Sequence, residues 1–481
     1  MSIVANAPPD PDAPQAGVRR RPTLLEAIVP VLVMALLLGF GYGLFHLRIE
    51  MLLLAAAGTA ALVALRLGCS WRALEGGIVE AITRAMPPTL IMIVVGMMIS
   101  SWIAAGTIPM LMSFGIALIH PTWFLVTACI VCSVVSVLTG TSYGTAGTIG
   151  VAFIGIAQGL DISAGMAAGA VVAGAYFGDK ISPFSDTTNL AAAVARTNIF
   201  DHILHMLWTT VPAYLLGLGV YALAGYSSAA EARSEQVMLL RVALEEAFVF
   251  HWLLLVPALV VLVLAFLKKP PLPAMVLSSV VAIGCAVAVQ GASLGSTFEA
   301  CVLGYRADTG SAQVDLLLSR GGMQTMMDVI LVALCAFAFA GIMQQAGMLA
   351  VILDRIRKIA RTTGRLIAAT VSASVMTALI TGSSYLSVII PGELFAGEFR
   401  DRGLAAKNLS RTTEDSGTVV VPLVPWSMAG VFMAGTLGVP TLEYAPWAVF
   451  CYTGFAVALL YGFTGFAVAP RVREDETRPG S

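Results

Sequence analysis

The sequence predicts an all-α polytopic membrane protein built as an inverted repeat, with about ten full spans plus two re-entrant hairpins and unwound helices at the bilayer midplane. Three observations predict it: an apolar composition, a series of membrane-length apolar runs, and a polar break that occurs once in each half. The 481 residues are 58% hydrophobic and 11% charged, where a soluble domain carries about 25% charged residues. The mean hydropathy is +0.88. Spanning the hydrocarbon takes roughly 20 apolar residues in a helix. Runs of that kind occur at 24–45, 51–67, 88–105, 120–138, 203–224, 247–266, 271–290, 328–345, 364–380, 418–435 and 445–469. Backbone polar groups in lipid must pair internally, so these runs are read as helices. The period-2 alternation of an outer-membrane barrel is absent.

The ends read as tails. Residues 1–22 are rich in Pro, Ala and Asp, close on Arg19, Arg20 and Arg21, and are read as a disordered cytoplasmic segment. The first apolar run is too long for a signal core, so it is read as a retained span. Residues 471–481 are charged and are read as a second cytoplasmic tail. A formal net charge of −1 indicates no nucleic-acid partner. Cys129 and Cys132 form a CxxC inside an apolar run and read as packing residues. The five His show no paired metal spacing, and His202 and His205 are expected at an interface. No cofactor is expected.

Thr139-Gly140-Thr141-Ser142-Tyr143 recurs as Thr381-Gly382-Ser383-Ser384-Tyr385, 242 residues later, and runs ending near Gly106 and Gly347 recur at nearly the same offset. This divides the chain into a first repeat at 23–225, an external linker at 226–244 and a second repeat at 245–470. Positive charge sets the orientation. Arg19 to Arg21, then Arg66, Arg72 and Arg84, lie inside. Lys268 and Lys269 and the cluster from Arg355 to Arg365 place the corresponding second-half helices in the opposite sense, with 291–327 as an external loop and both termini cytoplasmic. Segments 120–160 and 364–398 are expected to be the hairpins. Thr139, Ser142, Thr381 and Ser384 would sit at their tips and line the site.

Chemistry concentrates in the polar breaks. From Ala85 to Gly178 the one charged residue is Asp161; then Asp179, Lys180, Ser182, Pro183, Ser185, Asp186, Thr187, Thr188 and Asn189 follow. Ionisable groups at membrane depth are costly and are generally retained for function. Pro183 cannot continue a regular helix, so 178–189 is read as an unwound stretch between half-helices at roughly 162–178 and 187–197. Unwinding frees carbonyls, and carbonyls, hydroxyls and carboxylates are the ligands of a hard cation. Asp179 and Asp186 are the candidate Na⁺ and proton carboxylates, with Ser182, Thr187, Thr188 and Asn189 as neutral ligands or as residues that fix the unwound geometry. Residues 412–418 offer the counterpart: Thr412, Thr413, Glu414, Asp415, Ser416 and Thr418, followed by Pro422 and Pro425. A buried carboxylate that holds either Na⁺ or H⁺, but not both, gives exchange. Structural alternatives stand beside these roles: an Asp179–Lys180 local ion pair, Asp186 as a helix cap, and Glu414 or Asp415 pairing with Arg411. Gly165, Gly169, Gly174 and Gly178 read as close helix packing.

The run from Gly178 to Ala191 resembles the signature of NhaC-type Na⁺/H⁺ antiporters. Arg411-Thr412-Thr413-Glu414-Asp415-Ser416-Gly417-Thr418 with Pro422 to Trp426 is similar to that family's later motif. The resemblance covers roughly 24–470. It implies a secondary transporter of inverted repeats in the bacterial inner membrane, exchanging Na⁺ for H⁺ by alternating access. Relatives that carry a small organic anion such as malate and lactate, or an amino acid, make coupled transport of those cargoes the alternative. Many such carriers form homodimers. A Mg²⁺-dependent intramembrane enzyme is the remote alternative, and it would need acidic residues clustered more closely than these.

Overall fold

The computed structural model describes residues 20–229, 234–267 and 269–470. Most of the N-terminal tail, Lys268, residues 230–233 of the predicted linker and the 471–481 tail lie outside the described residues. From the N-terminal side, α1 (Leu24–Leu36) begins at a capping box: Thr23 caps the helix, and its amide donates to Glu26 at 2.8 Å. A π turn carries α1 on to Tyr42. α2 (Ile49–Arg66) and α3 (Trp71–Ala105) follow. α3 is longer than the expected 88–105 span because Pro87 and Pro88 lie inside it without ending it. The first half continues through α4 (Thr107–Leu118), α5 (Phe124–Thr139), α6 (Ser142–Thr145), α7 (Val151–Gly159), α8 (Ala164–Ile181), α9 (Asp186–Ala195) and α10 (Ile199–Ala229).

α11 (Ser234–Ala247), α12 (Val256–Phe266) and α13 (Pro271–Ala288) lead into the second half. The expected external loop is not structureless: it holds α14 (Leu294–Leu303) and α15 (Ala312–Leu318). The chain then forms α16 (Met323–Gln345), α17 (Met348–Arg357), α18 (Thr363–Thr381), α19 (Ser384–Asp401), α20 (Ala406–Gly417), α21 (Met428–Leu437), α22 (Thr441–Tyr444) and α23 (Val449–Thr464). Among the described residues eight helices are long and apolar enough to cross a membrane, or ten if each of two bent pairs is one span. The expected 247–266 span falls on the second member of one of those pairs, Trp252–Phe266, which is set at 104° to Met238–Ala247 of α11. The expected 418–435 span is replaced by an irregular stretch at 418–427 and the short α21, as Pro422 and Pro425 require. The protein is thus an all-α polytopic membrane protein.

The chain divides into two compact units, one of Met1–Arg84 with Leu334–Ile356 and one of Ala85–Ala333 with Arg357–Ser481. In the first, α1 packs on α2, and Gly77 meets the Gly341 backbone with no room for a side chain. In the second, α5 lies along α8. Gly174 and Gly178 press on the carbonyls of Cys129 and Ser133, while Gly165 and Gly169 press on Glu443 and Trp447. Ser136 Oγ donates to the Ala175 carbonyl at 2.6 Å across the same contact. Cys129 and Cys132 are free thiols buried there. α9, α18, α19 and α10 surround α20. The polarity is inverted relative to a soluble fold: Leu118, Leu215, Leu223 and Phe463 are exposed, whereas α20 buries every residue from Asn408 to Gly417.

Candidate functional site

The first break is shorter than its sequence suggests. α8 runs through Asp179 and Lys180 to Ile181, and only 182–185 leaves the helix. Proline acts on the residue before it, pushing Ser182 to an extended conformation (φ −81°, ψ 128°) and sparing the turn upstream. Ser185, not Asp186, caps α9 by accepting the Thr188 amide at 3.4 Å. Asp186 Oδ1 accepts the Thr187 amide at 2.9 Å. The carbonyls released by the break are largely taken. Thr188 Oγ1 donates to the Lys180 carbonyl at 3.0 Å, while Ser182 Oγ reaches across to the Val137 carbonyl near the end of α5 at 2.7 Å. Asn189 Nδ2 donates to Pro183 and Ser185 carbonyls at 2.9 and 2.7 Å. Thr187 Oγ1 lies 3.1 Å from Ser185 Oγ. Ser182, Thr188 and Asn189 therefore hold the kink open.

The two Thr-Gly breaks share one local geometry. α5 ends at Thr139, and Gly140 (φ +68°) donates its amide to the Ser136 carbonyl at 2.8 Å. α18 ends at Thr381, and Gly382 (φ +63°) donates to the Ala378 carbonyl at 2.8 Å. Both use the left-handed cap that favours glycine. Thr141 and Ser383 then cap α6 and α19. Each tip meets the polar break of its own half. Gly140 lies against the Phe184 backbone, and Gly382 accepts the Met428 amide at 3.1 Å. Of the four tip residues, Ser142 stands beside the Asp179 carboxylate, and Thr139 Oγ1 is buried without a partner. Thr381 Oγ1 bonds within α18 to the Thr377 carbonyl at 2.7 Å. The Ser384 carbonyl accepts Ser387 Oγ at 2.8 Å.

The second motif is not unwound. Residues 412–417 are the buried C-terminal part of α20, and the break follows them. Ser416 Oγ donates to the Thr412 carbonyl at 2.6 Å. Thr418 Oγ1 donates to the Glu414 carbonyl at 2.9 Å and to Glu414 Oε1 at 3.2 Å. Asp415 Oδ1 accepts Thr209 Oγ1 of α10 at 3.1 Å and forms an ion pair with the Lys180 ammonium of α8. The Lys180 and Asp415 side chains are 1% and 0% exposed. Lys180 thus pairs with the other half of the chain, not with its neighbour Asp179, and Asp415 pairs with Lys180, not with Arg411. The reason is burial: a carboxylate on the enclosed face of α20 is reached by the cation that α8 delivers there.

Asp179, Glu414 and Asp415 are buried, and each keeps one carboxylate oxygen, Oδ1, Oε2 and Oδ2 respectively, without a hydrogen-bond partner. Asp186 differs. It is exposed, and its Oδ2 accepts the Tyr385 hydroxyl from the second half. Tyr143 stacks on Phe432 with centroids 4.3 Å apart. Among the described residues no three His, Cys, Asp or Glu groups converge to hold a metal ion. A cation here would draw on one or two carboxylates completed by hydroxyls.

Several residues lay beyond the sequence reading. Lys180 is the one Lys or Arg between Arg84 and Arg196; adjacency in sequence pairs it with Asp179, and its distant partner Asp415 emerges only from the packing of α8 on the second half. His202 and His205 are not interfacial but buried: His202 Nδ1 meets Ser410 Oγ at 2.8 Å and His205 Nε2 meets Asn408 Oδ1 at 3.1 Å. With Thr209 they form one face of α10 at helical spacing, turned to α20. Ser387 Oγ covers the Gly417 carbonyl at 2.7 Å. Tyr385 stood in the repeated motif without a role.

The Tyr385–Asp186 hydrogen bond is expected to matter modestly. A bond to a water-exposed carboxylate is worth about 1 kcal/mol. Tyr385→Phe should therefore lower the stability of the purified protein by about that amount at most, read as a small fall in its thermal midpoint.

The profile of the Na⁺/H⁺ antiporter family matches residues 174–466. The chain is 43% identical over 459 residues to an uncharacterised Na⁺/H⁺ antiporter of Haemophilus influenzae, covering 94% of this chain and 98% of that protein. It is 38% identical to the Na⁺/H⁺ antiporter NhaC of Alkalihalophilus pseudofirmus, over 84% of this chain and 87% of that one. It is 34% identical to a malate-2H⁺/Na⁺-lactate antiporter of Bacillus subtilis, over 93% and 96%. With motifs, helices and buried carboxylates in agreement, the chain belongs to the Na⁺/H⁺ antiporter family.

Proposed function

We propose that this protein is a secondary active transporter that exchanges Na⁺ for H⁺ across the bacterial cytoplasmic membrane by alternating access. The observation that carries the reading is the set of partnerless carboxylate oxygens on Asp179, Glu414 and Asp415, enclosed by helices from both halves. A desolvated carboxylate must be compensated, and either a proton or a hard monovalent cation can do so. Because the two compete for the same oxygens, loading one expels the other. The loaded forms are the ones cheap enough to reorient. The names of the Haemophilus and Alkalihalophilus relatives support the same cargo.

In this reading Asp186, exposed at the Tyr385 contact, receives the ion from water, and Asp179 holds it in the interior. Glu414, Asp415, Ser416 and Thr418 supply the second-half wall. Thr187 and the tip residues Thr139 and Ser142 offer neutral oxygens, while Thr381 and Ser384 support the second tip. The repeats at 23–225 and 245–470 act as inverted copies, with both termini cytoplasmic, and the carrier works as a homodimer. The cargo passes through without chemical change.

Asp186→Asn should abolish Na⁺-dependent dissipation of ΔpH in everted vesicles at normal expression. Retained exchange would remove Asp186 from the mechanism. The Bacillus relative favours a second reading, Na⁺/H⁺-coupled exchange of organic acids. Purified protein in liposomes separates the two: Na⁺ alone should drive H⁺ movement, and a requirement for added malate or lactate would replace the first reading with the second.

A further inference from the structure

We propose that Arg411 is the alternate counter-ion of Asp415, so that during transport Asp415 passes from the Lys180 ammonium to the Arg411 guanidinium. This rests on the reading of Asp179, Glu414 and Asp415 as the cation site. Arg411 is fully buried in α20. Its Nη1 donates to the Ala467 carbonyl at 2.7 Å, behind the C-terminal segment after α23. Its Nε and Nη2 have no partner. Those two N–H groups form the side-on edge of the guanidinium, the fork that grips a carboxylate with two parallel hydrogen bonds. An empty fork in a dry interior is costly.

The matching acceptor is one turn away. Asp415 lies four residues on along α20, where side chains share a face. Both residues face α10: Thr209 Oγ1 bonds Asp415 at 3.1 Å, and Arg411 stands beside His205. Lys180 and Thr209 occupy Oδ1 of Asp415, while Oδ2 is without a partner. An orphan fork and an orphan oxygen one turn apart on one helix are complementary groups, each lacking what the other offers. Lys180 has somewhere to go as well. Its Nζ is 5.6 Å from the centroid of the Phe450 ring, whose face can hold an ammonium.

The exchange gives the site two discrete charge arrangements. With the site empty of metal, Lys180 supplies the positive charge among the carboxylates. When a cation enters between Asp179 and Glu414, it repels the ammonium, and Asp415 is held by Arg411 instead of being left uncompensated. Arg411 is thus a positioning residue. It touches neither ion and sets how readily Lys180 is released.

The full-length protein in proteoliposomes tests this. Arg411→Gln should lower the maximal rate of Na⁺/H⁺ exchange at least tenfold with less than a threefold change in the apparent KM for Na⁺. Added to Asp415→Asn, it should lower the rate no further. In wild-type protein labelled with guanidino-¹⁵N arginine, the Na⁺-minus-choline infrared difference spectrum should contain an arginine band that is lost in Arg411→Lys. This measurement stands even if Arg411→Gln fails to fold. A wild-type rate in Arg411→Gln, additive losses with Asp415→Asn, or no arginine band would each overturn the proposal. So would a dependence of the wild-type rate on chloride or lactate that Arg411→Gln removes, since the fork would then hold an external anion. Failure of the cation-site reading looks different: Asp179→Asn would keep exchanging.

Discussion

Asp179→Asn is expected to abolish Na⁺-dependent H⁺ movement in proteoliposomes while leaving the protein as stable as wild type or more so. The side chain is 8% exposed, its Oδ1 has no partner, and the one cation near it, Lys180, is engaged by Asp415. A purely structural carboxylate would be paired. Losing a buried carboxylate that compensates a bound ion costs about 3 kcal/mol of binding, roughly a hundredfold in affinity. Asparagine keeps the shape and removes an uncompensated charge, so the folded state gives up nothing. The combination discriminates: a lower thermal midpoint together with surviving exchange would mean that Asp179 serves the fold. Asp161→Asn, at an exposed turn between α7 and α8, is the matched control and should exchange at the wild-type rate.

The sequence carried the helices well because a bilayer imposes length and apolarity directly. Expected runs at 24–45, 120–138, 271–290 and 364–380 correspond to helices Leu24–Tyr42, Pro121–Thr139, Pro271–Ala288 and Thr363–Thr381. The Thr-Gly breaks were legible for a local reason: a glycine that ends one helix and a Ser or Thr that starts the next are chemical punctuation. What the sequence did not give was the partner of each polar group. Pro183 marked a break, but whether Asp179 was helical or unwound depended on the direction in which proline acts. Thr188 and Asn189 look like ion ligands by composition, and their partners turn out to be helix-end carbonyls. The motif in 412–418 looked like a second kink because its residues are polar. It is helical because every face of it is covered, so that its hydroxyls bond back to carbonyls one turn earlier. His202 and His205 could be placed only once α10 was seen to pack on α20.

Breaking the Lys180–Asp415 pair should have the largest effect on stability. Both side chains are withdrawn from solvent, and the bond joins α8 of the first half to α20 of the second. Lys180→Met leaves Asp415 in the interior with the Thr209 hydroxyl on Oδ1 and Arg411 as the cation that can turn to it. Stranding one member of a buried pair costs about 3–5 kcal/mol; the Arg411 fork offsets part of this, so the fall in the thermal midpoint of the purified protein should be clear in Lys180→Met and larger in Lys180→Met with Arg411→Gln. Replacing both members with apolar residues of similar size removes the stranded charge, so Lys180→Met with Asp415→Leu should recover most of the lost stability. Exchange should not return with it, because the double variant has neither the internal cation nor the carboxylate that passes between Lys180 and Arg411. Stability restored without transport would identify the pair as a working part whose fold contribution is replaceable. A double variant as unstable as Lys180→Met would mean instead that this ion pair is needed to join the two halves. Full exchange in the double variant would place Lys180 and Asp415 outside the transport cycle altogether.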